Sequence, residues 1–459
     1  MRLQKIIAAW TLLAASCLPS HSSAGELTYS DVDTARLMGW LLSGQPEQAA
    51  SEASQIIDGL RPTNDPATIY MIGEALTYRC EAHSQLDWHE KAKADCLDAI
   101  ATFEEVGSNL HTKDWRHKRA ETLLAAAYVD LGEIEPAIAL LTSQFEEINC
   151  GRICNAERAQ LLAHIGDLQA VQGDFREAEK SYLEAISFLP DGEQEDPDSL
   201  VLPHLNLAKL YILEERFAEA EAALKEGIAT STSAAREPSV LHEFRTALFS
   251  QSLGWTYFHQ GRYDEAREVG RTAFHKFRES EDSRLRYSVH FIDTLVLLAR
   301  IEDAGQPGSA AGRRYLETAV GRGFSGAGLG DVYHAVAQYE FARHHVLAGN
   351  DVAAEPYARI AVRTLLWETG NDNLYTARAR MILARVLQLQ SQDEEALDHA
   401  NSAFATQWSY LPPYHSEIGE TLALMAELYE ALGDKENLRA TRILIEDHRK
   451  ARAAFEATR

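Results

Sequence analysis

The sequence repeats one arrangement of small residues about every 42 residues, from near its start to its end. The first position of each unit is small or apolar: Leu37, Cys80, Ala125, Gly166, Ala208, Gly254, Leu298, Ala342, Ala384 and Ala426. Twelve residues later nine of the ten units carry alanine, the exception being Leu438: Ala49, Ala92, Ala137, Ala178, Ala220, Ala266, Ala310, Ala354 and Ala396. Small residues on two helices let the backbones approach closely. The repeat therefore predicts an all-α fold of about ten antiparallel helix pairs.

A third position, seven residues after the first, lies where the turn between the two helices is expected. Glycine occupies it in seven units: Gly44, Gly132, Gly173, Gly261, Gly305, Gly349 and Gly433. Asp87, Glu215 and Ser391 occupy it in the other three units. Glycine suits the left-handed backbone that commonly ends a helix. We therefore expect a tight turn at this position, with left-handed backbone at the glycines.

Three units in the middle of the chain share more than these small residues. The fourth carries Gly166, Gly173, Phe175, Ala178, Tyr182, Ala185 and Pro190, the fifth Ala208, Tyr211, Phe217, Ala220 and Leu224, and the sixth Gly254, Tyr257, Gly261, Tyr263, Ala266 and Ala273. This pattern resembles the tetratricopeptide repeat, except that Gln169 stands where the family prefers an aromatic residue. The family period is 34 residues, and the longer unit is similar to the repeats of kinesin light chains. The resemblance implies a right-handed α-solenoid, a superhelix of helix pairs.

The units differ in how well they match, which suggests a division of the chain. Residues 25–117 hold divergent helix pairs, and residues 118–280 hold the well-matched repeats. Residues 281–334 form a looser pair with a glycine-rich connector, and residues 335–459 form further repeats that end in a charged capping helix. Because each repeat buries its faces against its neighbours, we expect one continuous array.

The first 24 residues have the features of a secretory signal peptide. Arg2 and Lys5 precede an apolar run at 6–16, which is too short to cross a bilayer, and small residues lead to a cleavage site after Ala24. The sequence therefore predicts a periplasmic or secreted protein. The residues before Cys17 resemble a bacterial lipoprotein box, so a lipid anchor at Cys17 is the alternative.

The formal net charge of −25 argues against nucleic acid as a partner. Binding to a polyanion depends on clustered cations that release counterions, and here the field of the whole protein has the opposite sign. We interpret the acidic surface mainly as a solvated one.

Four cysteines follow the signal segment, and export to an oxidising compartment favours pairing among them. We predict that Cys80 pairs with Cys96 across one helical hairpin and that Cys150 pairs with Cys154 within a short linker. The alternative for the first pair is a zinc site, whose ligands would be Cys80, His83, His89 and Cys96. The close cysteine spacing typical of structural zinc sites is absent, so we predict the disulfides and no metal.

Sequence signatures of enzymes and cofactor sites are essentially missing. Residues 321–326 match the letters of the dinucleotide motif G-x-G-x-x-G, but they follow a helical segment instead of a strand. The adjacent His344 and His345 cannot easily point at one metal ion, so a packed or surface pair is the better interpretation. We therefore expect a protein that is not an enzyme and carries no cofactor.

Binding of a protein or peptide partner is the remaining function, and the family resemblance indicates where. In tetratricopeptide proteins the first helix of each pair lines the concave face. The residues that this places in the groove are Lys209, Trp255, Phe258, His259, Tyr339, Arg343, Arg378, Met381 and Arg385. Tryptophan, tyrosine and arginine are favoured in binding hot spots, and the cations could hold an acidic peptide or a chain terminus. The sequence thus predicts an adaptor or scaffold in the cell envelope. The alternatives are a ligand-sensing or secretion-assembly subunit and, less favoured, an enzyme with an unrecognised site.

Overall fold

The computed structural model describes residues 29–61, 65–107, 115–148, 154–188, 201–234, 240–280, 288–321 and 329–458. These residues form twenty α-helices and contain no strand. In chain order the helices are α1 Tyr29–Leu42, α2 Pro46–Leu60, α3 Pro66–Gln85, α4 His89–Gly107, α5 Trp115–Leu131, α6 Ile134–Glu147, α7 Asn155–Gln172, α8 Phe175–Ser187, α9 Val201–Leu213, α10 Phe217–Ala234, α11 Val240–His259, α12 Tyr263–Glu279, α13 Val289–Gly305, α14 Ala310–Gly321, α15 Leu329–Leu347, α16 Asp351–Glu368, α17 Leu374–Leu389, α18 Asp393–Tyr410, α19 Ser416–Ala431 and α20 Lys435–Ala457. The predicted all-α solenoid of about ten helix pairs is confirmed, with α1 and α2 as the first pair and α19 and α20 as the tenth.

The small residues lie where the two helices of a pair meet. Eight of the nine repeat alanines are completely buried, and a side chain at either glycine of the first position would collide with a neighbouring helix. A Cβ atom built on Gly166 would lie 2.7 Å from Cε1 of Tyr182, and one on Gly254 would lie 2.6 Å from Cδ2 of Leu297. Close backbone approach therefore explains the small residues that define the repeat.

Nine of the ten turn positions have the left-handed backbone. Six are the glycines at 44, 132, 173, 261, 349 and 433, and the other three are Asp87, Glu215 and Ser391, with φ of 59°, 57° and 60°. The prediction is wrong at Gly305, which belongs to α13, while Gly308 takes the positive φ of 68°. The turn of the seventh pair is longer than the others because α13 runs through Gly305 before the chain reverses.

The described helices divide into two compact units. Unit 1 contains α1 to α6, and unit 2 contains α7 to α20. The boundary between the two units falls inside the group of residues 118–280. The finer grouping by quality of match stays a prediction.

Unit 1 contains a disulfide bond between Cys80 and Cys96, as predicted. The sulfur atoms are 2.05 Å apart, and the bond joins α3 to α4 across the second pair. The alternative zinc site is therefore wrong, because the two thiolates that it needs are joined to each other. His83 instead contacts Asp95 at 2.7 Å, and His89 lies 3.3 Å from Asp130.

The second predicted disulfide falls partly beyond the part of the chain that the structure describes. Cys154 is disulfide-bonded, whereas Cys150 lies outside the described residues. Within those residues, no group of three or more histidine, cysteine or acidic side chains is arranged to hold a metal ion.

Ion pairs connect the second helix pair to the third in unit 1 and every pair to the next in unit 2. In unit 1 they are Arg116 with Glu74 and Lys93 with Glu133. In unit 2 they are Arg216 with Glu179, Arg262 with Glu221, Arg267 with Glu302, Arg300 with Glu340, Arg359 with Glu395, Arg378 with Glu417 and Arg385 with Glu427. An exposed pair of this kind contributes about 0.2 to 1 kcal/mol. Every junction between successive pairs of unit 2 has at least one.

Several sequence predictions concern residues outside the described part. These are the signal segment with Ala24 and Cys17, most of the connector at 190–203, and the glycine-rich residues 322–328. Among the helices that are described, none combines the length and apolar character needed to cross a membrane.

Candidate binding groove

The first helices of unit 2 form its inner face. Successive first helices, from α7 through α9, α11, α13, α15 and α17 to α19, pack against one another, while no packing of similar extent joins successive second helices among those described. In a curved stack the helices on the inner side lie closer together. The residues predicted for the groove lie on these first helices, and we call the face that the first helices share the inner groove.

The inner groove is closed at one side by a contact between the fifth and tenth pairs. Glu215, in the turn between α9 and α10, accepts a hydrogen bond from the backbone N–H of Ser416 at 2.8 Å and forms an ion pair with Arg452 of α20. Nε2 of His415 lies 3.9 Å from the same carboxylate. We call Glu215, His415, Ser416 and Arg452 the closing contact. It brings together residues more than 200 positions apart in the sequence.

The groups around Glu215 explain why its carboxyl is ionised although it is buried. Burial alone would raise the pKa of its carboxyl, but the hydrogen bonds from Ser416 and Arg452 outweigh that effect and lower it. Ser416 is the first residue of α19, so its N–H belongs to the positive end of a helix dipole. Leu213 also packs against the apolar cluster of Leu411, Ile418 and Leu422. The closing contact is therefore both ionic and apolar.

Three aromatic side chains of α11 lie in contact in the inner groove. The ring of Trp255 meets that of Phe258 edge to face, with centroids 5.8 Å apart, and His259 stacks on Phe217 at 5.3 Å and an interplanar angle of 4°. The guanidinium of Arg300 lies 5.1 Å from the centroid of the Phe258 ring. His259 is exposed, while Trp255 and Phe258 are partly exposed. This aromatic cluster offers apolar surface to a ligand.

The pKa of His259 reflects how far protein encloses the groove. Its side chain reaches solvent, but protein surrounds the remaining sides, and the loss of hydration together with the nearby Arg300 and Arg378 lowers its pKa to about 4. Its charge is also influenced by Glu417 and Glu215. Groups from the fifth, seventh, ninth and tenth pairs therefore act on one ring of the sixth pair.

Lys209 stands between two aspartates in the deeper part of the groove. Asp167 accepts hydrogen bonds from the Tyr182 hydroxyl at 2.6 Å and from the Asn206 amide at 2.8 Å. Burial raises the pKa of Asp167 to about 6, and Lys209 opposes this rise. Loss of hydration also lowers the pKa of Lys209, although its side chain has access to solvent.

Asp293 forms the other side of the same cluster. Its carboxylate accepts hydrogen bonds from Nε2 of Gln251 at 2.6 Å and from Nε1 of Trp255 at 2.9 Å. Burial raises the pKa of Asp293 to about 6 as well. The carboxylates of Asp167 and Asp293 therefore compensate the positive charge of Lys209.

The three predicted arginines are also paired. Nε of Arg343 bonds Glu340 at 2.7 Å, Arg378 contacts Glu417 at 2.7 Å, and Arg385 contacts Glu427 at 2.8 Å. These contacts neutralise much of the charge that we expected an acidic ligand to use. Their carboxylates were missed because they lie on other turns or in the next repeat, where the unit pattern gives no signal.

The last two predicted residues differ in accessibility. Tyr339 is 5% exposed, so it belongs mainly to the packing of α15, whereas Met381 is partly exposed on α17. His344 and His345 are both buried: His344 contacts Asp303 at 3.0 Å, and His345 stacks on Tyr357 at 5.8 Å. The interpretation of a packed histidine pair is confirmed.

Comparison with known proteins supports the repeat fold. A model of the tetratricopeptide repeat matches residues 251–279, which cover most of the sixth pair. The described helix pairs have the tetratricopeptide-repeat fold. No curated protein sequence matches the chain.

Solved structures with the tetratricopeptide-repeat fold resemble most of the chain. The apo form of RapI is 12% identical with a TM-score of 0.51, covering 83% of this chain and 98% of its own. A Rap protein complexed with Competence and Sporulation Factor is 12% identical with a TM-score of 0.52, covering 83% and 99%. The Rap conjugation gene regulator of plasmid pLS20, complexed with the Phr* peptide, is 11% identical with a TM-score of 0.52, covering 84% and 96%. At these identities the likeness concerns the fold alone.

Proposed function

We propose that the protein is a non-enzymatic adaptor that binds a peptide or an extended protein segment in the inner groove of unit 2. The observation that carries the proposal is the accessible aromatic cluster of Trp255, Phe258 and His259 beside Lys209 and its two aspartates. Aromatic anchors with adaptable polar neighbours are typical of binding hot spots. Folds of this type are generally interaction scaffolds, and two of the similar Rap proteins were solved in complex with Competence and Sporulation Factor and with the Phr* peptide.

The pairing of the groove arginines changes the ligand that we expect. Arg343, Arg378 and Arg385 already have carboxylate partners, so an acidic ligand would have to displace them. The carboxylates of Asp167 and Asp293, together with Lys209, suit the N–H and C=O groups of a peptide backbone. We therefore propose a ligand with an apolar anchor for the aromatic cluster and an uncharged backbone near Lys209.

Capture of the partner tests the site. Tagged wild-type protein, Trp255→Ala and Lys209→Ala are used to capture partners from native cell envelopes, which are then identified by mass spectrometry. We expect Trp255→Ala to weaken capture by at least about tenfold, as hot-spot truncations commonly do, and Lys209→Ala to weaken it less.

The matched control is Trp88→Ala, which removes a 45% exposed tryptophan from unit 1. Thermal melting and circular dichroism establish that each variant is folded. Equal capture by Trp255→Ala and the control would contradict the groove assignment.

We also propose that the mature protein resides in the cell envelope. The charged and apolar segments at 2–16 support export, and the Cys80–Cys96 disulfide suits an oxidising compartment. Cell fractionation and intact-mass measurement should find a chain that begins after Ala24. A lipidated N-terminus at Cys17 would favour the lipoprotein alternative, whereas an unprocessed cytoplasmic chain would contradict export.

A further inference from the structure

Two ion pairs connect the ninth helix pair to the tenth along the inner groove. Arg378 of α17 contacts Glu417 of α19 at 2.7 Å, and further along the same two helices Arg385 contacts Glu427 at 2.8 Å. Both pairs join a first helix to the next first helix, so they follow the face that a ligand would meet. At these two positions the groove already has a cation for each carboxylate.

Glu420 is a carboxylate of the same helix that lacks such a partner. It lies on α19 one turn after Glu417, its side chain is exposed, and it forms no hydrogen bond or ion pair with any residue that the structure describes. Arg378 precedes Glu417 by 39 residues, and the residue that precedes Glu420 by the same spacing is Met381. Met381 is partly exposed. Between the two ion pairs, the groove therefore has a carboxylate and an apolar side chain.

Two arginines act on Glu420 from a distance, but neither pairs with it. Arg300 of α13 contacts Glu340 at 3.0 Å, and Arg385 contacts Glu427 at 2.8 Å. The charges of both arginines lower the pKa of Glu420. Because each arginine is already held by another carboxylate, the position beside Glu420 is left for a cation from outside the chain.

The pKa of Glu420 is nevertheless raised above its usual value. The largest cause is the loss of hydration between the walls of the groove, and the charges of Glu417 and Glu215 act in the same direction. The side chain still reaches solvent, so a ligand group can contact it. A carboxyl whose pKa is raised in this way carries a negative charge that its surroundings do not fully compensate.

The rest of the groove and of the chain also favours a cation over an anion. Lys209 is the cation nearest to Asp167 and Asp293, so two carboxylates stand against one lysine there. The chain as a whole has a net charge of −25. A field of this sign attracts cationic ligands and repels anionic ones.

We propose that Glu420 binds a lysine or arginine side chain of the ligand that occupies the inner groove. The proposal rests on the proposed function and adds to it the charge of the ligand. The ammonium or guanidinium group pairs with the carboxylate of Glu420, while the methylene stem of the same side chain lies on Met381. The ligand therefore combines an apolar anchor for the aromatic cluster with one basic side chain.

A synthetic peptide library tests the charge preference with the full chain. The peptides have random sequences of about nine residues, which span about 30 Å when extended, and acetylated and amidated ends that carry no charge. Immobilised wild type, Trp255→Ala and Glu420→Gln are incubated with the library, and bound peptides are identified by mass spectrometry. We expect the peptides that wild type binds and Trp255→Ala does not to be enriched in lysine and arginine. Glu420→Gln should bind peptides without this enrichment.

A second measurement isolates the ion pair. One enriched peptide is labelled with fluorescein, and in a second version its basic residue is replaced by norleucine, which keeps an apolar stem and removes the charge. By fluorescence anisotropy, wild type should bind the basic version about fivefold more tightly, at the upper end of the range for an accessible ion pair. Glu420→Gln should bind both versions equally.

Two further variants bracket this result. Met381→Arg supplies from within the chain the cation that we assign to the ligand, so it should also remove the preference for the basic peptide. Glu394→Gln is the matched control, because it makes the same change in net charge at an exposed residue of α18, a second helix. It should keep the preference of wild type.

The outcomes separate this proposal from the proposed function. Peptides that need Trp255 but contain no excess of basic residues, or an excess that Glu420→Gln retains, would overturn the assignment of Glu420 and leave the groove as the binding site. If no peptide needs Trp255 for binding, both proposals are overturned. Circular dichroism and thermal melting establish that each variant is folded.

Discussion

Glu215 and Ser391 occupy the same position of the repeat and have nearly the same backbone, yet their surroundings are opposite. Their φ angles are 57° and 60°, in the left-handed region that disfavours residues with a Cβ by about 1–2 kcal/mol. Glu215 is 4% exposed and binds Ser416 and Arg452. The side chain of Ser391 is exposed and has no hydrogen bond with any described residue. Backbone strain is therefore offset by a long-range contact at one turn and left uncompensated at the other.

Glu215→Gly should have the largest effect of any change at a turn position. Glycine relieves about 1 kcal/mol of backbone strain, but the substitution removes hydrogen bonds to a charged group that are worth about 1.5–3 kcal/mol each. We expect the free energy of unfolding of unit 2 to fall by about 2 kcal/mol, measured by urea denaturation. A variant as stable as wild type would show that the closing contact contributes nothing.

Glu215→Gln tests whether the stabilisation by Glu215 depends on its charge and therefore on pH. The folded pKa of Glu215 lies below its unfolded value of about 4.3, so its contribution is complete above that value and is lost as pH falls through the folded pKa. We expect wild type to be more stable than the variant by about 1–2 kcal/mol at pH 7 and the difference to shrink as the pH falls from the unfolded pKa through the folded one. A difference that does not vary with pH would mean that the charge of Glu215 is not involved.

Ser391→Gly should change stability in the opposite direction. Relief of about 1–2 kcal/mol of strain exceeds the extra chain entropy that glycine loses on folding, about 0.5–1 kcal/mol. We therefore expect the free energy of unfolding to rise by about 0.5–1 kcal/mol, measured in the same way. Ser391→Ala, which keeps the Cβ, serves as the control and should bring no such gain.

Asp87→Gly in unit 1 should give the smallest effect. Aspartate tolerates left-handed backbone better than most residues, and a carboxylate oxygen of Asp87 lies 3.9 Å from a ring nitrogen of His89. The expected change in the free energy of unfolding is a gain below about 0.5 kcal/mol. A loss above about 1 kcal/mol would indicate that the contact with His89 matters more than the backbone.

The repeat pattern was sufficient to predict most of the fold because helix pairing depends on local chemistry. Gly166 and Ala178 indicate a close approach of two helices whatever the rest of the chain does, and the same holds for the disulfide between Cys80 and Cys96. Gly305 was predicted wrongly because helix length is set by packing against neighbours as well as by turn residues. The division into two units has no counterpart in the repeat spacing.

The inner groove was predictable only in outline. The pattern gives the side of the helix on which Trp255 and Lys209 lie, but it does not give their neighbours. Asp293 is not among the residues that the family resemblance identifies, and it reaches Trp255 from the next repeat. In the sequence, Glu215 stands out only because most repeats have glycine at this turn position. Its partner Arg452 is 237 residues away. Such contacts depend on the curvature accumulated over five pairs.

The ion pairs between successive repeats have a consequence for how this chain can change. Arg216 pairs with Glu179 of the preceding repeat, and Arg359 pairs with Glu395 of the following one. Arg262 and Glu221 occupy the same repeat positions as Arg216 and Glu179, four residues before and one residue after a repeat alanine. An exchange of repeats would therefore keep the ion pair at junctions of this kind and lose it where the equivalent residues differ.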